Sequence, residues 1–446
     1  MLFGWPVVSV LLFAFFSPRV AALMSMIGAW LFLPIASYSF PGIPDYSKMS
    51  AASVGALLGT VIFAHARLFA IRWSLLDLPV VVFCMSAFIS SVSNGLGLYD
   101  GFSGTLSRFT IWGLPYLLGR LHFDSPASLR QLAFWMFIGG LVYIPFCILE
   151  MRMSPQLHTW VYGYHQHQFS QSRRFGGWRP TVFMQHGIMV GMWMCMTSLI
   201  GIGLWMQKSV KSLFGLPFSY SVIALLVTAI LCRSMGAILL LVAGLAVLLG
   251  TRYWPSRAWL VALVAVAPLY MTVRISGWSG DILLTGTRNF STDREESLNM
   301  RLSNENRLIE KAMEQPIFGW GAWGRNRIYG ETGRDMTVTD GLWTIIFGQN
   351  GYIGLIAISL MFALPVLRVA MQTPATSLLN GTSSLATIFS VVVSLYWIDC
   401  IPNAVVNPIL TLCTGALTSV VTLRNDEGEW AIEAQQESDS HYEIAI

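Results

Sequence analysis

Thirteen apolar runs separated by short polar breaks leave this chain few ways to fold. They fall at Met1–Phe16, Val20–Ala36, Ser50–Ala66, Leu78–Ser93, Gly104–Leu118, Leu129–Leu149, Thr181–Met206, Leu216–Cys232, Met235–Gly250, Ala258–Ile275, Tyr352–Val369, Ser384–Ile398 and Ala404–Leu423. Each is near the length of helix that crosses about 30 Å of hydrocarbon. Hydrocarbon offers the backbone no hydrogen-bond partners, so such runs must close their own bonds as helices. With 54% hydrophobic and only 11% charged residues, and a mean hydropathy of +0.60, the chain is not an ordinary soluble protein. The expectation is an all-α polytopic membrane protein with thirteen transmembrane helices, or twelve if the first two runs form one re-entrant hairpin. Met1–Phe16 has no basic leader and no small-residue cleavage site, so it reads as a span and not a signal peptide.

The breaks divide the chain. Residues 1–275 form a transmembrane bundle interrupted by a polar loop at 150–180, 276–340 form a long polar helical segment, 341–423 hold the last spans, and 424–446 form an acidic tail with the composition of disorder. In the short loops, Arg67, Arg72, Arg120, Arg130, Lys208, Lys211, Arg252, Arg257, Arg368 and Arg424 fall on one side when spans alternate, which the positive-inside rule assigns to the cytoplasm. Both long polar segments then land on the opposite face. A net charge of +4, spread as single residues between apolar runs, is no nucleic-acid signal. The six cysteines lie in or beside the runs without metal or disulfide spacing and read as small core residues.

The stretch from Thr292 to Gly354 is the long polar exception, and chemistry is expected there. Thr292 and Glu295 make a capping box and Pro316 a stop, predicting a helix of about six turns. Leu298, Arg301, Glu305, Leu308 and Ala312 fall on one face, placing Arg301 and Glu305 among leucines. Next come Ile317-Phe318-Gly319-Trp320-Gly321-Ala322-Trp323-Gly324, whose glycines permit an irregular path, and then Thr339-Asp340, which can cap the following helix.

Arg173, Arg174, Arg179 and Arg233 sit on the face that the positive-inside rule leaves poor in basic residues. An anion is the simplest reason, because guanidinium forks bind phosphate oxygens and stay charged. The plainer alternative is solvation or pairing with the loop's own acids. It is weakest for Arg233, in a two-residue turn at the bilayer edge.

Four motifs carry a resemblance: R-L-S-N-E-N-R-L-I-E-K-A-M-E-Q-P-I-F-G-W-G at Arg301–Gly321, Q-N-G-Y-I-G-L at Gln349–Leu355, R-F-G-G-W-R-P from Arg174, and R-S-M-G-A from Arg233. In order and sidedness they resemble the superfamily of O-antigen ligases and Wzy-type polymerases. The resemblance implies a GT-C-like, metal-independent membrane glycosyltransferase with no cofactor. Its partners are a glycan donor on polyprenyl pyrophosphate, a glycan acceptor, membrane lipid and, for a polymerase, a chain-length regulator. It implies Arg301 on the pyrophosphate leaving group with Arg174, Arg179, Arg233 and Arg307 as further pyrophosphate ligands. The family's ligases carry a histidine on the helix that follows the long loop. Here that place holds Asp340, which favours a polymerase of O-antigen or exopolysaccharide repeats over a ligase.

Glycosyl transfer also wants a base for the acceptor hydroxyl. Asp340 is one candidate, against a plain N-cap; Glu305 is the other, against an intrahelical partner of Arg301. His186 either faces a substrate cleft or is a satisfied interfacial residue. His165 and His167 lack a third ligand for a metal and sit in an aromatic interfacial segment. Gly348, Gly351 and Gly354 read as close helix packing. A lipid-linked glycan flippase is the rival class, though the span centres carry almost no ionisable residues.

Overall fold

The computed structural model describes residues 1–426 apart from 41–42, 175, 283, 285–291 and 323. The last helix takes in residues 424–426 of the expected acidic tail, and 427–446 lie outside the described residues, as do the side chains of the expected capping box. Each apolar run is a helix, and the protein is an all-α polytopic membrane protein. Among the described residues six helices are long and apolar enough to cross a bilayer: Leu75–Ser93, Pro126–Met153, Gly187–Met206, Met235–Tyr253, Ala258–Ile275 and Leu342–Gln372. Six more are shorter and apolar: Trp5–Phe15, Pro18–Phe32, Lys48–Phe63, Phe218–Leu231, Ser384–Asp399 and Pro408–Leu423.

The remaining run lies in a composite rod, Leu98–Arg108 and Leu114–His122 joined by a π-helical turn at Phe109–Gly113. Pro115 cannot donate to the carbonyl of Ile111, and the helical ladder widens by one residue beside it. The small strands are hairpins in the connections. All six cysteines are buried and unpaired.

The bundle core is made by the Gly187–Met206 and Ser384–Asp399 helices, buried on almost every side. The terminal helix is pressed onto Leu114–His122 so closely that a Cβ on Gly119 would lie 2.1 Å from the Leu412 carbonyl oxygen. Basic residues gather at one end: Arg120 pairs with Asp77 at 2.9 Å, Arg19 pairs with Asp124 at 2.8 Å, and Arg67 donates to the Leu121 carbonyl. The long polar segments gather at the other.

Leu342–Gln372 is two helices broken at Gly351, which has φ 60 and ψ −158. The Pro316–Gly321 loop fills the break. Trp320 and Gly321 donate their N–H groups to the Gly348 and Gln349 carbonyls at 2.8 and 3.0 Å, and Tyr352 N–H donates to the Pro316 carbonyl at 2.7 Å. Gly351 is therefore a hinge in the chain path and not the helix-packing contact expected: a Cβ there would lie 2.4 Å from the Ile317 carbonyl. Arg108 supports the break from a neighbouring helix, donating to the side chains of Gln349 and Asn350. There it meets the carbonyl end of the first half-helix, where a cation is favoured.

Candidate functional site

The Thr292–Met313 helix forms as expected, but it sits on the bundle through a different contact. Arg274, at the end of Ala258–Ile275, is fully buried and donates to Glu305 at 2.9 Å, to Asn306 Oδ1 at 2.7 Å and to the Leu302 carbonyl at 3.2 Å. Glu305 also accepts from Tyr270 Oη at 2.8 Å and Trp343 Nε1 at 2.9 Å. Three donors thus occupy this carboxylate, which corrects both expectations for it. Glu305 is the anchor of the helix; it is poorly placed as a base, and it does not pair with Arg301.

Arg301 shares its face of the helix with Leu298, Leu302 and Leu308, as expected, but its side chain lies exposed at the rim. Its guanidinium faces Asp340 at 3.7 Å and the Pro402 carbonyl at 3.5 Å. Asp340 is not a helix cap. The N-cap is Gly341, without a side-chain cap bond, and Leu342 N–H donates to the Cys400 carbonyl at 3.0 Å. That leaves the Asp340 carboxylate to Arg301. Both line a small cleft of about 110 Å³ with Tyr270, Glu305, Thr344 and Pro402.

The other arginines come from the loop before Gly187–Met206 and from the turn at 233. Arg173–Arg174 pairs antiparallel with Gly177–Trp178. Arg233, in a left-handed conformation with φ 55, donates to the Arg174 carbonyl at 3.0 Å. Its guanidinium lies flat on Gly177, where a Cβ would stand 2.4 Å from Cζ. Glycine is required there by close approach and not by conformation. Arg179 is 6% exposed and donates to Ser234 Oγ at 2.8 Å. Burial and the neighbouring Arg174 pull its pKa down to about 10, and Asp399 opposes them; the group stays charged.

His186 joins these pieces. Its Nδ1 accepts the Ile188 N–H at 3.1 Å as the cap of the Gly187–Met206 helix, so the ring proton is on Nε2, 3.3 Å from Gln171 Oε1. Burial, then the fields of Arg179, His167, Arg174 and Arg301, push its pKa down to about 3. The ring is neutral at any ordinary pH. The fields of arginines from two separate polar segments thus reach one ring.

Arg307 does not join it: exposed on the same helix, it lies about 240° around from Arg301. His167 packs on His186 with ring centroids 4.8 Å apart, and His165 on Phe169 at 5.3 Å. Among the described residues no group of three or more metal-ligating side chains gathers.

Several charges near the site were missed in the sequence. Asp399, 2% exposed, accepts from Asn403 at 2.8 Å with one oxygen. Arg274, Glu150 and Lys48 are also buried. Their common signal is a single charge at the edge of an apolar run.

Compared with known proteins, the chain matches no family model and no curated sequence.

Proposed function

We propose that the protein is a metal-independent glycosyltransferase of a bacterial inner membrane, polymerising polyprenyl-pyrophosphate-linked oligosaccharide repeats on the periplasmic face. One observation carries this: at one end of an apolar bundle Arg179 packs against Gly187 beside His186, Arg233 is bound to the Arg174 backbone, and the fields of Arg174 and Arg301 also reach the His186 ring. Such a cluster suits a compact polyanion presented at the membrane surface. A lipid pyrophosphate has that form, and guanidinium forks match its oxygens.

In this reading the arginines neutralise charge developing on the pyrophosphate as the anomeric C–O bond breaks and its electron pair leaves with the phosphate. Asp340, beside Arg301, takes the proton of the acceptor hydroxyl as its oxygen bonds to the anomeric carbon. His186 stays uncharged and so adds no further repulsion among the arginines. Arg274 and Glu305 hold the helix that carries Arg301.

The test is a deletion strain whose envelope glycans are separated by size, complemented with wild type, Arg301→Ala and Asp340→Asn. Single repeat units accumulating on the lipid carrier mean a polymerase. Full-length polymer held on the carrier means a ligase that hands glycan to another acceptor. Unchanged glycans, or full rescue by Arg301→Ala, overturn the reading, and loss of lipid-linked repeats from the periplasmic leaflet points to a flippase.

A further inference from the structure

The turn at Thr181–Phe183 is held by more than a connection needs. Val182 is fully buried with φ 49, a left-handed conformation that crowds a β-branched side chain. Glu150, 1% exposed on the Pro126–Met153 helix, clamps it from one side. One carboxylate oxygen accepts the Thr181 and Val182 N–H groups at 2.8 and 2.7 Å, and the other accepts the Leu157 N–H at 3.0 Å. Lys48, 5% exposed at the start of Lys48–Phe63, clamps the other side. It donates to the Phe183 carbonyl at 3.0 Å, with its ammonium 5.3 Å from the Trp30 ring centroid.

These are a basic and an acidic side chain, both buried, yet they form no ion pair with each other. Each is directed instead at the backbone of the same three residues. A buried polar group must find its partner, and a strained backbone persists only where its surroundings over-determine it. Arg179 lies two residues before the turn and His186 three residues after it. Were Val182 to relax to an extended conformation, the chain on either side would rotate and separate those two side chains.

We propose that Lys48 and Glu150 are positioning residues for the arginine cluster: by locking the left-handed turn they set Arg179 and His186 for the anion. The inference rests on reading that cluster as a pyrophosphate site. It explains why lone charges lie buried at the edges of two apolar helices that contribute nothing directly to the cluster.

The test uses the full chain in lipid nanodiscs, titrated calorimetrically with inorganic pyrophosphate. Lys48→Met and Glu150→Gln are compared with Lys48→Arg, Glu150→Asp and wild type, and thermal unfolding is followed alongside. The expected result is affinity at least tenfold weaker in the neutral variants at temperatures where they are still folded, with Lys48→Arg within threefold of wild type. Neutral variants that fold and bind as wild type does overturn the positioning role. Wild type that ignores pyrophosphate removes the underlying reading instead, and the inference with it.

Hydrogen exchange on wild type covers the case in which the neutral variants do not fold. The Thr181 and Val182 amides should exchange as slowly as those of Met189–Leu199, and exchange within minutes overturns the clamp.

Discussion

Arg274→Met tests how the polar helix is seated. The guanidinium is fully buried and donates to four acceptors, the Glu305 carboxylate, Asn306 Oδ1 and the carbonyls of Leu302 and Trp278. Methionine fills much of the volume but donates to none. Breaking a buried pair by removing one partner costs about 3–5 kcal/mol, because the other charge is left uncompensated. Tyr270 and Trp343 still donate to Glu305, so the lower end applies, about 3 kcal/mol. The cost falls on local opening of Thr292–Met313 more than on the whole bundle. At about 1.4 kcal/mol per factor of ten, exchange of the amides in Leu302–Ala312 should rise roughly a hundredfold. Exchange of Met189–Leu199, deep in the core, serves as the reference. Adding Glu305→Gln should recover part of the loss, since no unpaired charge then remains. A rise below about threefold in Arg274→Met, or a double variant no better than the single, would refute the anchoring argument.

Other outcomes follow from the same geometry. Gly177→Ala puts a Cβ where the Arg233 guanidinium lies, so pyrophosphate binding should weaken as in Arg233→Gln, by about tenfold, with the melting temperature unchanged. Asp340→Asn should lower the transfer rate by about 10²–10⁴-fold while leaving binding of the lipid pyrophosphate intact, which single-turnover and binding assays separate. His186 gives a signed pH effect. Unfolded, its ring protonates near the ordinary value of about 6.5; folded, it does so only near 3. Its stabilising contribution is therefore complete above about pH 6.5 and fades as pH falls toward 3. Wild type should lose more melting temperature between pH 7 and 4.5 than His186→Asn, which keeps a helix cap but cannot titrate.

The helices were legible in the sequence because hydrocarbon forces one solution on a long apolar run. Arg301 and Asp340 were legible singly, by residue type and place, but their approach was not: it depends on a helix start at Gly341 that borrows the Cys400 carbonyl. Glu305 was misread because helical spacing offered Arg301 as its partner, whereas Tyr270, Arg274 and Trp343 come from other helices. Arg307 shows the same limit: six residues from Arg301, it belongs to another face. The buried charges Lys48, Glu150 and Asp399 escaped notice because each stands alone where an apolar run meets its polar flank. In the sequence that place reads as a loop edge. Arg108 stands inside an apolar run, and the helix break that accounts for it required the loop at Pro316–Gly321.

The break at Gly351 also bears on biogenesis. Without that loop, the Gly348 and Gln349 carbonyls would enter the bilayer region with no donors from the loop, an unfavourable state in hydrocarbon. The chain emerges with Pro316–Gly321 ahead of the helix it completes, about thirty residues upstream. The closure is local in sequence and correspondingly quick. A substitution that dislodges this glycine-rich loop would cost the half-helix its loop donors and leave the Gln349 carbonyl to Ser90 Oγ.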